Sequence, residues 1–178
     1  MDFRPAPIRD MAIIEVQPIA DHRGHFARVF AQEEFAAAGL ERTFVHGNIQ
    51  FSPRPGTLRG MHFQTPPHEE VKLVRCTRGA VFDVVVDLRE DSPTYRQWHG
   101  EELRADTYKT LWVPEGCAHG FVTLEPDSEV LYMTSHVFAP DAATGIRYDD
   151  PAIGIEWPVA IEVISDRDAT WPLLEGAA

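Results

Sequence analysis

Beyond residue 40 the apolar positions fall in short runs broken by turn residues, the pattern of an all-β sandwich or barrel. Strands are predicted over Lys72–Cys76, Ala80–Leu88, Thr110–Val113, Gly120–Leu124 and Glu129–Phe138. Turn residues separate them at Arg78–Gly79, Asp91–Pro93, Pro114–Gly116 and Pro126–Asp127. A helix is predicted over Glu33–Ala38, stopped by Gly39, with a weaker one near Pro151. No repeat, low-complexity tract or linker interrupts the series. A chain of 178 residues suits one well-buried core, so residues 1–178 read as a single β-barrel domain with a few short helices.

Three side chains stand out against this pattern. In Val71-Lys72-Leu73-Val74-Arg75-Cys76, alternation sends Lys72 to the face of Val74 and Cys76, the inward one. A lysine there is costly unless it meets an anion. Tyr132 alternates with Val130 and Thr134, and reads either as a core tyrosine with a satisfied hydroxyl or as a proton donor. His62, in Leu58-Arg59-Gly60-Met61-His62-Phe63-Gln64, reads either as a hydrogen-bonded core residue or as a catalyst. Arg59 and His62 lie an odd number of residues apart, so a regular strand sends them to opposite faces. A bulge at Gly60 would return both to one side.

Composition adds exclusions. The 44% hydrophobic and 25% charged content is that of an ordinary globular protein. A net charge of −12 argues against non-specific nucleic-acid binding, and any anionic ligand must be met by a local cluster of cations. Asp2, Arg4, Arg9 and Asp10 leave no room for a signal-peptide hydrophobic region, and no apolar run reaches bilayer length. Cys76 and Cys117 lack metal-type spacing and argue against a disulfide framework, which favours a reducing cytoplasm. Eight histidines raise a metal site, but Gln64 stands where a His-x-His pair would place its second ligand. His119 remains only as a distant partner, and no metal is expected. His22, His25, His68, His99 and His136 read as surface or turn histidines.

Along nearly its whole length the chain resembles the dTDP-4-dehydrorhamnose 3,5-epimerase family. The matching stretches begin with Asp21-His22-Arg23-Gly24-His25-Phe26, Leu58 to Gln64, Lys72 to Cys76 and Gly79 to Leu88. They continue with Pro114 to Phe121, Gly145 to Pro151, Ile155-Glu156-Trp157-Pro158 and Ile164-Ser165-Asp166-Arg167-Asp168. The resemblance implies a cupin-like jelly roll, usually a homodimer, acting on a 4-keto-6-deoxy sugar carried by a nucleoside diphosphate. It also implies no metal and no nicotinamide cofactor. By that similarity His62 is the general base, Asp168 its orienting partner, Tyr132 the general acid on the opposite face of the sugar, and Lys72 the enolate stabiliser. Arg23, Arg59 and His119 line the diphosphate and sugar site, Phe26 is a further substrate-binding residue, and Phe138 borders the sugar. The chemistry fits these residue types. Removing a proton beside a ketone needs a base and a charge-stabilising donor, and inversion needs a second proton source across the ring.

Four positions depart from the family pattern. Within Phe26-Ala27-Arg28-Val29-Phe30, Arg28 replaces a base-contacting Glu; His46 replaces the Gln before the base-binding Asn48. Ala143 stands where a Glu is expected, and Arg167 replaces a Lys while keeping its charge. Arginine only donates hydrogen bonds, whereas cytosine offers acceptors at O2 and N3, so a CDP-linked sugar is weighed beside a dTDP-linked one. In the other reading Arg28 meets the diphosphate or solvent and the base remains thymine. Two further functions compete: a 3,4-ketoisomerase of a related barrel, and a catalytically silent sugar-nucleotide binder. His62, Asp168, Tyr132 and Lys72 together argue against both.

Overall fold

The five predicted strands form and are divided between two antiparallel sheets. The computed structural model describes residues 1–174. One sheet has six strands: β1 (Asp2–Pro5), β2 (Ala12–Glu15), β5 (His46–Ser52), β7 (Lys72–Arg78), β10 (Thr110–Val113) and β12 (Ser128–Thr134). They are ordered β1-β2-β10-β7-β12-β5. The second has five: β6 (Leu58–Gln64), β8 (Ala80–Asp87), β9 (Trp98–Arg104), β11 (Cys117–Thr123) and β13 (Ala143–Gly145), in the order β13-β6-β11-β8-β9. A hairpin of β3 (Ile19–Asp21) and β4 (Gly24–Phe26) stands apart from both. The result is a cupin-like jelly roll.

The inward residues of both sheets meet in one core containing Val74, Cys76, Val81, Val85, Leu111, Phe121 and Val130. Burying each of the larger side chains contributes about 1.5–3 kcal/mol. The outer face of the six-stranded sheet is covered by α1 (Gln32–Ala37), whose Phe35 packs on Ile14, Leu73 and Trp112. Met61, Val84, Val86 and Ala118 lie on the other side of the second sheet, under Ile146 and Ile153. Leu73 and Val74 are therefore both buried, one on each face of β7.

Several boundaries differ from the sequence reading. The helix expected near Pro151 is a single turn. Asp150 caps it through Ala152 N–H (2.8 Å), and Gly154, at φ +66°, ends it at once. A helix that the sequence reading missed, α2 (Asp166–Ala169), is capped by Ser165 Oγ, which accepts from Asp168 N–H at 3.1 Å. β11 begins three residues before the expected Gly120, so it includes His119. β12 ends at Thr134, four residues before the expected Phe138. The chain leaves the sheet there because Thr134 Oγ1 donates to the His136 carbonyl (2.9 Å), turning His136–Phe138 into a loop.

Candidate active site

The odd spacing of Arg59 and His62 is resolved in β6. His119 pairs with His62 and Phe121 with Arg59, so three steps along β6 match two along β11. The extra residue brings Arg59 and His62 to the same cavity. Two glycines make room for it. Gly60 has φ +144°, and a Cβ there would lie 2.6 Å from Gly120 Cα; a Cβ on Gly120 would lie 2.7 Å from Met61 Sδ.

This cavity, of about 440 Å³, opens between the two sheets. On one wall, His62 Nε2 lies 2.6 Å from Asp168 Oδ1, while Asp168 Oδ2 accepts the Gly60 N–H at 3.2 Å. Burial pushes the Asp168 carboxyl up, but the His62 hydrogen bond and charge and the Gly60 N–H outweigh it and hold it below the usual carboxylate range. An ionised Asp168 selects the tautomer with the proton on Nε2, leaving the Nδ1 lone pair for chemistry. Trp171 packs edge-on to the His62 ring at 6.3 Å and carries the Arg167 guanidinium 4.9 Å from its own ring centre.

On the other wall, β7 and β12 supply Lys72 and Tyr132. Pairing of Thr134 with Lys72 and Tyr132 with Val74 makes them diagonal neighbours. The anion that an inward lysine requires is Glu70: its Oε1 lies 3.0 Å from Lys72 Nζ, which also donates to the His62 carbonyl at 3.2 Å. Burial raises the Tyr132 phenol, the Glu70 charge raises it further, and Arg59 opposes them. Tyr132 is thus a protonated donor at neutral pH.

His119 is buried, with Nε2 2.9 and 3.0 Å from the two oxygens of a fully buried Asp83, a second imidazole–carboxylate pair beside the first. Arg59 is aimed by bonds to Ser52 Oγ (3.2 Å) and the Phe51 carbonyl (3.0 Å). His46, Asn48, Phe138, Ala143 and Arg167 also line the cavity. Cations gather here within a protein of net charge −12, as an anionic ligand would require.

Three expected binding residues lie elsewhere. Arg23 and Phe26 belong to the β3–β4 hairpin and Arg28 follows it; all are exposed and none lines this cavity. Arg23 is bound instead to Asp21 at 2.6 Å. Conversely, the sequence reading took His136 for a surface or turn histidine, yet it lines the cavity from the loop that follows β12. Sequence reasoning also missed Glu70, Asp83 and Gln64. An acid inside the apolar run Val81-Phe82-Asp83-Val84 was a usable signal for one of them, and Glu70, two residues before Lys72, for another. Gln64 is buried and fully engaged. Its Nε2 donates to the His68 carbonyl (2.8 Å) and to Glu70, with the Val137 carbonyl at 3.2 Å, and its Oε1 accepts from Ala139 N–H at 2.7 Å. Among the described residues, no group of three His, Cys, Asp or Glu side chains converges as a metal set.

An oriented imidazole on one wall and a protonated phenol beside an ammonium on the other are the groups that acid–base chemistry uses, held in the cavity of a jelly roll. The family model for dTDP-4-dehydrorhamnose 3,5-epimerase matches residues 5–176. The chain is 44% identical over 172 residues to the dTDP-4-dehydrorhamnose 3,5-epimerase of Salmonella typhimurium, covering 96% of this chain and 93% of the relative. The crystal structure of the Bacillus anthracis dTDP-4-dehydrorhamnose 3,5-epimerase with TDP and PPi bound superposes with a TM-score of 0.94. It is 38% identical, with 97% of this chain and 99% of that one covered. A 3'-monoepimerase of Streptomyces bikiniensis in complex with dTDP-quinovose is similar at 34% identity and a TM-score of 0.88, with 95% and 86% covered. The chain belongs to the dTDP-4-dehydrorhamnose 3,5-epimerase family and is a carbohydrate epimerase.

Proposed function

We propose that the chain inverts carbons beside the C4 ketone of a dTDP-linked 4-keto-6-deoxy sugar, in deoxysugar biosynthesis. The observation that carries this is the 2.6 Å His62–Asp168 contact facing Tyr132 and Lys72 across one cavity. His62 Nδ1 takes the proton next to the ketone. The electron pair moves onto the carbonyl oxygen, where the Lys72 ammonium stabilises the enolate. Tyr132 then returns a proton to the carbon from the other side, and the ketone re-forms. A base and a donor on opposite sheets support a two-faced transfer, which one imidazole does not achieve alone.

The nucleotide is read as dTDP because relatives and solved neighbours are named for dTDP or hold TDP. Arg28 is exposed and outside the cavity of its own chain, so it does not select cytidine over thymidine there. We read residues 1–178 as one domain working as a homodimer. Support comes from the exposed Ile49 and Phe51 on the edge strand β5 and from the exposed Ile19 and Phe26 on the hairpin. In such a dimer the hairpin carries Arg23, Phe26 and Arg28 toward the cavity of the second copy. No helix among the described residues is long and apolar enough to cross a membrane.

The test is solvent exchange in D₂O with dTDP-4-keto-6-deoxy sugars, reading label at C3 and C5. Wild type incorporates deuterium at each carbon it inverts, which also separates single from double epimerisation. His62→Ala abolishes incorporation. A wild-type protein that incorporates no label on any of these substrates is not the proposed epimerase.

A further inference from the structure

Glu70 is the one carboxylate among the described residues that line the cavity. It stands just before β7 with its side chain about 10% exposed, and Lys72 is equally buried at 9%. Its Oε1 meets Lys72 Nζ at 3.0 Å and its Oε2 accepts from Gln64 Nε2, so both oxygens are held. Gln64 in turn is tied to His68 and to the Val137–Ala139 loop, which fixes Glu70 from behind. A side chain with this anchorage serves the ammonium it faces.

We infer that Glu70 is a positioning residue of the acid–base site, anchoring the Lys72 ammonium and setting a negative charge beside the Tyr132 donor in a cavity otherwise lined by cations. The inference rests on the proposed function for the roles of Lys72 and Tyr132. Its physical ground is the charge around that wall. Arg59 and His62 face it from β6, His119 from β11, His46 from β5, His136 from the loop after β12 and Arg167 from α2. Each of these, when charged, favours loss of a proton from the phenol. Glu70 opposes them, and its charge is among the causes that hold the Tyr132 phenol high. Without it, Lys72 would be a buried ammonium with only the His62 carbonyl to meet it.

The experiment is the pH dependence of kcat/KM for Glu70→Gln, beside wild type and Glu70→Asp. Glutamine keeps an oxygen for Lys72 and removes the charge. The basic limb of the profile is expected to move to lower pH by about one unit, the size of effect a neighbouring charge produces. Glu70→Asp keeps the charge and is expected to leave the limb near its wild-type position. If Glu70→Gln fails to fold, Glu70→Ala makes the same charge change with a smaller side chain, and the same downward move is expected. A basic limb that stays in place in an active charge-neutral variant overturns the inference, and so does an equal move in Glu70→Asp. Absence of solvent exchange in wild type, by contrast, overturns the proposed function itself.

Discussion

Tyr132 and His62 divide the proposed reaction between them, and the division is open to experiment at the scale of single atoms. Phenylalanine at 132 keeps the ring and removes the O–H. The enolate still forms at His62, and a proton returned from the same side gives exchange without inversion. Tyr132→Phe is therefore expected to lose net inversion by about 10²–10⁴-fold, the usual worth of a positioned acid, while label still washes into recovered substrate. Equal loss of both would remove Tyr132 from the role of donor. The inward direction of Lys72 followed from a period of two, and so did the need for an anion beside it. Strand alternation did not single out Glu70 as that anion, because it lies just outside the regular strand; only its place two residues before Lys72 hinted at it. Nor does spacing reveal that His62 meets Asp168 across 106 residues. Only the resemblance supplied that pair, since no local pattern encodes a contact between a strand and a late helix.

Among the elements, β10 matches its predicted span Thr110–Val113 residue for residue, whereas β6 was not among the predicted strands although its irregularity was. A bulge at Gly60 was the condition for Arg59 and His62 to share a face, and the register against β11 contains one. The bulge in turn requires two glycines back to back. Gly120→Ala places a methyl within 3 Å of Met61 Sδ, Arg59 O and Gly60 Cα. It is expected to cost about 1–3 kcal/mol, read as a lower urea midpoint, with activity falling because Arg59 and His62 shift together. Unchanged stability and activity would mean that the bulge tolerates the crowding. β9 was not foreseen because Trp98-His99-Gly100-Glu101-Glu102-Leu103-Arg104 is largely polar. Its Gly100 is explained by the Phe82 ring, which occupies the space a Cβ would take, 2.1 Å from Cζ. The late end of β12 differs from the expected one because Val137 and Phe138 resume an apolar character after Thr134, Ser135 and His136. The Thr134–His136 turn nevertheless takes them out of the sheet, and Phe138 lines the cavity.

For the molecule as a whole, the exposed apolar residues of β5 and the hairpin and the absence of Arg23, Phe26 and Arg28 from the cavity point the same way. In the proposed homodimer, Ile49→Asp sets a charge on an edge strand that a second copy must cover. Sedimentation is expected to show wild type at twice the 20.0 kDa chain mass and the variant at the chain mass, with a raised KM because the hairpin residues no longer reach a site. A wild-type protein sedimenting at 20.0 kDa would refute the dimer. The net charge of −12 argued for a local cluster of cations at any anion site, yet could not say where in the fold it would form. Arg59, Lys72 and Arg167 come from three separate elements and meet only when the sheets close.

The tie made by Gln64 bears on what this barrel is able to become. Glutamine and histidine codons differ by a single nucleotide, so the exchange that would create a His-x-His pair with His62 lies one mutational step away. An imidazole has two ring nitrogens and does not reproduce an amide that serves His68, Glu70 and Ala139 at once. The genetically nearest route toward a metal-binding descendant thus begins by releasing both loops that shape the cavity. On this scaffold, proton-transfer chemistry is an evolutionary position that is easy to describe and hard to leave.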